Sequence, residues 1–263
     1  MQSIKKKALI LGLNYSFVEN EKVLTGCVND ACNIKAYLET LNFSNIDLIT
    51  DDIKDNVDKL SWKGIIILLQ NLCISSWTDD LDVVVFHYSG HGRQKPDLDN
   101  DEEDGLDEGL VPTDYKKTGI ITDDILISIF KKFNPKTRIL CIFDCCHSGS
   151  ILDLNYTVIN GRLTKQYDMK IDSVNPVSPF IICLSGARDN EIAGEIHKKL
   201  DTGVFTTYLL DSLAENPYST IIDQEYRINK RLFNSGYDQS HVVSSSHIFD
   251  KNMSIYNFLN FSI

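Results

Sequence analysis

The stretches that decide the fold are LDVVVFHYSGHG, from Leu81 to Gly92, and RILCIFDCCHSG, from Arg138 to Gly149. Each begins as an apolar run and ends in polar, chemically reactive residues. Near-continuous apolar runs are typical of strands in a parallel sheet that is covered on both faces. Because functional groups gather at the carboxyl ends of such strands, we expect His91 and a cysteine of the second stretch to lie at one edge of the sheet.

Predicted strands and helices alternate along the rest of the chain. The strands span Lys7–Asn14, Asp47–Thr50, Leu81–Tyr88, Arg138–Phe143 and Pro179–Leu184, and the helices span Cys27–Leu41, Trp62–Ile74, Thr122–Lys132 with Thr122 as N-cap, Gly203–Ala214 and Thr220–Phe233. This alternation predicts an α/β domain with a largely parallel sheet. The polar stretch from Asn155 to Ser178 is predicted to be a long, irregular surface loop inside one domain.

Composition limits the possible functions. The chain has 263 residues, of which 43% are hydrophobic, and such a chain can bury a sizeable core without disulfides or metals. The net charge of −11 argues against binding to nucleic acid or to an anionic membrane surface. No apolar segment approaches the ~20 residues of a membrane span, and the N-terminus lacks the pattern of a secretory signal. Seven cysteines without a CxxC pair predict reduced thiols in a cytoplasmic compartment.

A cysteine and a histidine from the two stretches can act as a nucleophile and its base. In such pairs the imidazole orients the thiol and accepts its proton, and the thiolate attacks. His147 is a poor base for Cys146, because consecutive side chains on an extended backbone point to opposite faces. His91 lies between Gly90 and Gly92, where the backbone can turn tightly. Backbone N–H groups around Gly92 and Cys146 can donate to an oxyanion. The alternative interpretation is a buried cysteine pair beside a structural histidine.

Three other chemistries fit the sequence poorly. A phosphatase loop requires an arginine six residues after its cysteine, where this chain has Ile151 or Leu152. Cys145, Cys146 and His147 are too tightly spaced for a tetrahedral zinc site. Phosphate-binding loops of the GxxxxGK[ST] or GxGxxG type do not occur in the sequence.

The two motifs resemble those of a known family. YSGHG (88–92) and DCCHSG (144–149), 55 residues apart from His91 to Cys146, are similar to the histidine and cysteine motifs of metacaspases. These are arginine- or lysine-directed cysteine peptidases of the caspase-like clan. Four further segments carry the likeness across nearly the whole chain: LTGCVNDA (24–31), DLDNDEEDGLDEGLVPTDY (97–115), LSGARDNEIAGE (184–195) and QSHVVSSSHIFD (239–250).

The resemblance implies a caspase–hemoglobinase fold, a three-layer α/β/α sandwich around a mostly parallel sheet. It implies a single domain over residues 1–263, in a short form without a prodomain. Within that domain, 1–153 would be the large-subunit-like region, 154–178 a surface loop or linker, and 179–263 the small-subunit-like region. Caspases dimerise through an edge strand, whereas the resemblance to metacaspases implies a monomer.

The same resemblance assigns the site residues. The family nucleophile directly precedes HSG, which makes it Cys146, with His91 as the base and Cys145 as a packing residue. The S1 pocket positions match Cys27, Asp30, Ser89 and Asp144. Paired carboxylates there can receive a guanidinium or an ammonium group, so protein or peptide substrates with Arg or Lys at P1 are expected. For Asp30 alone, the competing interpretation is a solvated residue in the first turn of a helix.

An acidic loop suggests a cation. Residues 97–108 include eight acidic residues in twelve, but the loop is not an EF-hand, because Val111 stands where a bidentate glutamate is required. By composition it is a solvated surface loop. The family resemblance instead implies calcium activation, with ligands at Asp107, Asp123, Asp124 and Asp153. Helix N-terminal charge is the competing explanation for Asp123 and Asp124.

Two further expectations concern processing and activity. Arg162, Lys165 and Lys170 lie in the 154–178 segment and are candidates for autocleavage after a basic residue. The alternative functions are a catalytically inactive caspase-like regulatory scaffold and a related paracaspase- or legumain-like peptidase. The presence of both His91 and Cys146 favours an active enzyme.

Overall fold

The computed structural model describes residues 3–96, 105–159, 161–165, 178–188, 193–196 and 201–261. The strands within these ranges are β1 (Lys6–Gly12), β2 (Ile46–Thr50), β3 (Val83–Ser89), β4 (Gly92–Pro96), β5 (Leu106–Leu110), β6 (Ile121–Thr122), β7 (Arg138–Asp144), β8 (Tyr156–Ile159), β9 (Arg162–Lys165), β10 (Phe180–Ser185), β11 (Glu195–Ile196), β12 (Thr202–Gly203) and β13 (Val242–Ser245). The helices are α1 (Cys27–Thr40), α2 (Trp62–Thr78), α3 (Tyr115–Thr118), α4 (Asp123–Phe130), α5 (Val204–Glu215), α6 (Ile221–Asn234) and α7 (Ile255–Asn260).

The central sheet has eight strands within the described ranges, in the order β2-β1-β3-β7-β10-β13-β8-β9. The five strands from β2 to β10 are mutually parallel, and the remaining three pair antiparallel. The β4, β5 and β6 strands form a separate three-stranded sheet. The prediction of a mostly parallel sheet is therefore confirmed.

Helices cover both faces of the sheet, as the apolar strands require. On β3, Val84 and Phe86 belong to one buried cluster, together with the inward faces of α2 and α4. Val83 and Val85 belong to the other cluster, with residues of α1, α5, α6 and α7. Alternate side chains of one strand thus contribute to two separate cores, which defines the three layers.

Helix boundaries differ slightly from the sequence prediction. Thr122 occupies the N-cap position of α4, but its side chain makes no capping hydrogen bond, and Asp123 accepts from the Asp124 N–H instead. The helix ends at Phe130 rather than Lys132. The Lys132 N–H donates to the Ile129 carbonyl, so the last turn tightens into the 3₁₀ pattern common at helix ends.

The prediction of an irregular stretch from 155 to 178 is wrong over its first part. β8 and β9 form a hairpin that extends the central sheet beyond β13. The sequence pattern was too polar to indicate a strand because one face of this hairpin is exposed, as at Arg162 and Thr164. Residues 166–177 lie outside the described ranges. Among the described helices, none combines the length and the hydrophobicity that crossing a bilayer requires.

Candidate active site

The parallel pairing of β3 with β7 brings the two motif stretches to the same edge of the sheet. Ser89 and Asp144 are register partners at the ends of these strands. The chain beyond each strand places His91 and Cys146 at one small cavity. The meeting of a cysteine and a histidine expected from the sequence is therefore present in the fold.

Gly92 allows this meeting. A Cβ at this position would collide with the backbone carbonyl oxygen of Cys146. Residues 145–153, which follow β7 and contain Cys146, form the cysteine loop. Strand β4, which begins at Gly92, can approach this loop only because position 92 is a glycine.

The imidazole of His91 is held in a defined orientation. Its Nε2 lies 2.8 Å from the carbonyl oxygen of Lys22, and its ring packs on Tyr15 with the centroids 4.6 Å apart. A carbonyl only accepts hydrogen bonds, so Nε2 carries the proton and Nδ1 keeps the lone pair. Burial lowers the pKa of His91, while the contact with Lys22 and the charge of Glu21 oppose that shift. The imidazole is thus neutral and able to accept a proton at neutral pH.

Glu21 provides a negative charge beside this histidine. Its carboxylate lies 3.6 Å from His91 Nε2, accepts a 2.8 Å hydrogen bond from Arg93 and is also bonded by the Tyr115 hydroxyl. Its side chain is only 5% exposed. Burial alone would raise the pKa of Glu21, but Tyr115 and the charge of Arg93 lower it overall. The carboxylate is therefore ionised next to the imidazole ring and would stabilise a positive charge on it.

The two neighbouring cysteines occupy different environments. Cys145 is 1% exposed and belongs to the hydrophobic core, whereas Cys146 is half-buried and lines the cavity. The Cys146 Sγ accepts a hydrogen bond from the Ala193 N–H at 3.2 Å. Burial raises the pKa of the Cys146 thiol; the Ala193 N–H opposes that rise and the charge of Asp144 adds to it. Cys146 is therefore a thiol at neutral pH.

Two buried carboxylates form the floor of the cavity. Asp30 accepts hydrogen bonds from the Ser89 hydroxyl at 2.9 Å and from the Gly203 N–H at 2.9 Å. Asp144 accepts from both the N–H and the hydroxyl of Thr206, at 2.9 and 2.7 Å. Gly203 is the N-cap of α5 and Thr206 is in its first turn, so the unpaired N–H groups and the positive end of this helix stabilise both negative charges.

The cavity brings together the residues predicted for the S1 pocket. Its volume is about 40 Å³, and its lining consists of Leu24, Cys27, Asp30, Ser89, Gly90, His91, Asp144, Cys146, Ala193, Gly194 and Gly203. Such a volume holds about three water molecules. At Gly203 a Cβ would collide with both carboxylates, so the pocket depends on a glycine there.

A second acidic group lies at the start of α4. Carboxylate oxygens of Asp107, Asp123 and Asp124 all lie within 4.8 Å of one another. Asp107 and Asp123 are buried, and Lys95 Nζ lies 2.9 Å from Asp107. Burial raises the pKa of Asp123 to about 7, and the charges of Glu108 and Asp107 add to the rise, although two backbone hydrogen bonds oppose it. Crowded hard oxygens of this kind fit a calcium ion.

The fourth residue predicted for this site, Asp153, is not in that group of described residues. It lies at the end of the cysteine loop and has a positive φ of 43°, and its N–H donates to the Ser150 carbonyl at 2.6 Å. Of the autocleavage candidates, Arg162 and Lys165 lie in β9, and Lys170 lies outside the described residues.

Sequence reasoning missed several residues that build the site. Gly203 and Thr206 hold the pocket carboxylates, and Glu21 lies beside the histidine. Gln239 accepts from the Gly194 N–H at 2.9 Å and donates to the Gly186 carbonyl, which fixes one cavity wall. A helix that begins with VFTT directly after Gly203 has N-terminal N–H groups that can bind an anion, but nothing in the sequence indicates which carboxylates they meet.

A larger, open cavity lies on the other side of Gln239, which fixes one wall of the small cavity. Its volume is about 840 Å³, and Gly149, Glu225, Gln239 and His241 are among its lining residues. Neither His91 nor Cys146 borders it. The small cavity, which His91 and Cys146 both line, is therefore the candidate active site.

The fold is that of caspases. A caspase-1 structure from Spodoptera frugiperda aligns with 92% of this chain and 86% of its own chain, at a TM-score of 0.58 and 13% identity. The structure of GSU0716 from Geobacter sulfurreducens aligns with 94% of this chain and 95% of its own, at a TM-score of 0.65 and 24% identity. The predicted caspase–hemoglobinase α/β fold is thereby confirmed.

Sequence comparison assigns the family. Residues 6–155 match the family described as metacaspase, peptidase C14 domain. Metacaspase-1 from Candida glabrata is 39% identical over 169 residues, which cover 63% of this chain and 42% of that protein. Metacaspase-1A from Aspergillus terreus is 28% identical over 95% of this chain and 72% of its own length. The chain belongs to the metacaspase family, and family and fold together support a cysteine peptidase.

Proposed function

We propose that the protein is a cysteine endopeptidase that cleaves polypeptides after arginine or lysine and is activated by calcium. The observation that carries this proposal is the shared cavity of His91 and Cys146, floored by the buried carboxylates of Asp30 and Asp144. The matched part covers less than half of the Candida glabrata relative, so activity and substrates are inferred from the site itself.

The proposed chemistry begins with proton transfer from the Cys146 thiol to Nδ1 of His91. The thiolate attacks the carbonyl carbon of the P1 residue, and backbone N–H groups of Gly92 and Cys146 donate to the oxyanion. The imidazolium gives its proton to the leaving amine, and a thioester remains on Cys146. Water, deprotonated by His91, then hydrolyses the thioester and restores the thiol.

Charge supports the proposed specificity. A cavity for about three waters matches the charged end group of an arginine or lysine side chain. Two carboxylates at its floor favour a cation, and a bidentate guanidinium pairs well with them. Cys27 and Ser89 complete the pocket, and Ser89 orients Asp30.

A fluorogenic peptide panel tests the central claim. We expect cleavage after Arg or Lys but not after Asp, with calcium stimulation, and a loss of at least about a thousandfold in Cys146→Ala. Cys145→Ala is the matched control, because this thiol is buried in the core. Efficient cleavage after Asp, or activity retained in Cys146→Ala, would contradict the proposal and favour a different peptidase or an inactive scaffold.

Calcium is proposed to bind at Asp107, Asp123 and Asp124, with Asp153 as a ligand contributed from the cysteine loop. The ion would supply positive charge that relieves the repulsion among these carboxylates. Asp123→Asn should raise the calcium concentration for half-maximal activity by about tenfold or more, while the exposed control Asp55→Asn should not. Equal activity of the wild type in calcium and in excess chelator would refute this part.

Autoprocessing in the 154–178 segment is proposed because Arg162 and Lys165 are exposed and extended. Intact mass after prolonged calcium exposure checks it: wild type should be cut, Cys146→Ala should stay whole, and Arg162→Gln with Lys165→Gln should show which sites are used. An uncut wild type that still cleaves peptides would contradict it.

A monomeric, cytoplasmic protein is also proposed. β9, one of the two edge strands of the described central sheet, has only four residues and carries Arg162 and Lys165, which disfavours edge-to-edge pairing with a second copy there. Light scattering after gel filtration should give the mass of one chain. A stable dimer would exclude the monomer.

A further inference from the structure

Glu108 contacts β4, which follows His91, and the cysteine loop, and it lies next to the acidic group of Asp107, Asp123 and Asp124. It is 1% exposed, and its Oε1 accepts a hydrogen bond from Gln94 Nε2 at 2.8 Å. Its Oε2 accepts from the Ser150 hydroxyl at 2.7 Å. Gln94 belongs to β4, two residues after Gly92, and Ser150 follows the cysteine motif. One buried carboxylate therefore joins the strand after His91 to the loop after Cys146.

The backbone of Glu108 connects the same residue to the acidic group. Its N–H donates to Asp123 Oδ2 at 3.2 Å, and its neighbour in β5 is Asp107. Asp107 and Asp123 are two of the three residues whose carboxylates cluster within 4.8 Å. Asp123 is thus hydrogen-bonded to Glu108, and Glu108 is hydrogen-bonded to Ser150 of the cysteine loop. A shift of Asp123 can therefore reach the cysteine loop through Glu108.

We infer that Glu108 is a positioning residue that transmits the state of the Asp107–Asp123–Asp124 group to the Cys146 loop through Ser150. This inference rests on the proposed function, because it concerns how calcium would change catalysis. Hydrogen bonds to a buried carboxylate are charge-assisted and geometrically restrictive. They therefore fix the Ser150 segment relative to β4 and β5, and with it the position of the Cys146 sulfur relative to His91.

The conformation of the cysteine loop depends on contacts such as the Glu108–Ser150 hydrogen bond, because two of its residues lie in the left-handed region of the backbone. His147 and Asp153 both have positive φ values, 51° and 43°, on the two sides of Ser150. Residues other than glycine seldom adopt this conformation unless surrounding contacts hold them. The Glu108–Ser150 hydrogen bond is one such contact, and it acts between the two residues.

The experiment uses Glu108→Gln and Ser150→Ala in the full chain, with Glu39→Gln and Ser128→Ala as exposed, matched controls. Three quantities are measured with and without calcium: kcat and KM on an Arg-peptide, the thermal unfolding temperature, and the rate at which iodoacetamide alkylates Cys146, read by peptide mass spectrometry. The alkylation rate reports on the thiol without a turnover.

We expect calcium to raise the unfolding temperature of wild type and of both variants, because the ligand carboxylates are intact. In wild type, calcium should also speed Cys146 alkylation and raise kcat. In Glu108→Gln and Ser150→Ala, kcat in saturating calcium should be about tenfold lower with KM little changed, and alkylation should no longer respond to calcium. The double variant should lose no more than Glu108→Gln alone, because Glu108→Gln removes the charge from the Glu108–Ser150 hydrogen bond and Ser150→Ala removes that same bond.

The outcomes separate this inference from the proposed function. If wild type is stimulated by calcium and Ser150→Ala is stimulated equally, the link is refuted while calcium activation stands. If wild type shows neither stimulation nor a change in unfolding temperature, calcium activation itself fails. Should Glu108→Gln not fold, Ser150→Ala alone decides, because its side chain is only partly buried.

Discussion

The carboxylates of Asp30 and Asp144 and those of Asp107 and Asp123 are all at least nine-tenths buried, yet they are stabilised in different ways. The first pair accepts hydrogen bonds from Ser89, from Thr206 and from the backbone at the start of α5. The second pair lies beside further acidic residues, which raise the pKa of Asp123 in addition to burial. Hydrogen-bond donors thus compensate the burial of the first pair, whereas the repulsion within the second group would be relieved by a bound cation.

The largest expected effect on activity comes from removing the charge of Asp30 or Asp144, the pair of carboxylates that accept hydrogen bonds from Ser89, Thr206 and the start of α5. Asp144→Asn or Asp30→Asn should lower kcat/KM for Arg-peptides by about a hundredfold or more, because a buried cation would lose its charged partner. Calcium should still raise the unfolding temperature of these variants. The peptide assay checks the expected loss of cleavage, and the thermal measurement checks that calcium binding is retained. Undiminished cleavage after Arg in both variants would remove Asp30 and Asp144 from the specificity pocket.

A smaller effect should appear in the stability of the calcium-free protein. The raised pKa of Asp123 means that its ionisation is unfavourable in the fold. Stability therefore falls as pH rises from about 4, the unfolded value, to about 7, and the full cost is present above pH 7. Asp123→Asn removes that cost, at most roughly 4 kcal/mol, but its amide cannot accept both backbone N–H groups.

We expect Asp123→Asn to raise the unfolding temperature by a few degrees at pH 8 in chelator, and to give no rise at pH 4. Asp30→Asn should lower it at pH 8, because an amide N–H₂ would face a donor such as Gly203 N–H. A rise in both variants, or in neither, would mean that the two groups of carboxylates are stabilised alike.

The smallest expected effect concerns Glu21, a buried carboxylate that resembles both groups. It accepts hydrogen bonds and also lies beside a group that gains charge. Glu21→Gln should lower the pKa of His91 and shift the acid limb of the kcat/KM profile to lower pH, because the negative charge that raises the His91 pKa is gone. The plateau should fall about two- to fivefold, since the imidazolium loses a partner. Glu215→Gln, which breaks an exposed pair with Arg231, is the control, and an unshifted acid limb would contradict the assignment.

The sequence predicted those parts of the site that depend on strand ends. Leu81 to Tyr88 and Arg138 to Phe143 are apolar throughout, so their pairing and the meeting of His91 with Cys146 followed from the rules of parallel sheets. The fold class was predictable for the same reason. Family resemblance then supplied the pocket residues, and the structure brings Cys27, Asp30, Ser89 and Asp144 to one cavity.

Contacts that depend on loops were not predictable. Glu21 reaches His91 from a segment 70 residues upstream, and Glu108 reaches Ser150 across 42 residues. Neither glutamate belongs to a periodic pattern, because each points from an irregular segment or a short strand. The hairpin of β8 and β9 was missed because its four-residue strands are partly exposed, so they lack a clear apolar run.

That hairpin also determines what a cut within it would do. A break after Arg162 or Lys165 would divide the chain into two pieces that are hydrogen-bonded to each other, since β7 pairs with β10 and β8 pairs with β13 across the break. Both hydrophobic cores contain residues from both pieces. Cleavage would therefore convert one folded chain into a non-covalent heterodimer of interleaved fragments, which separate on a denaturing gel and migrate together in a native one.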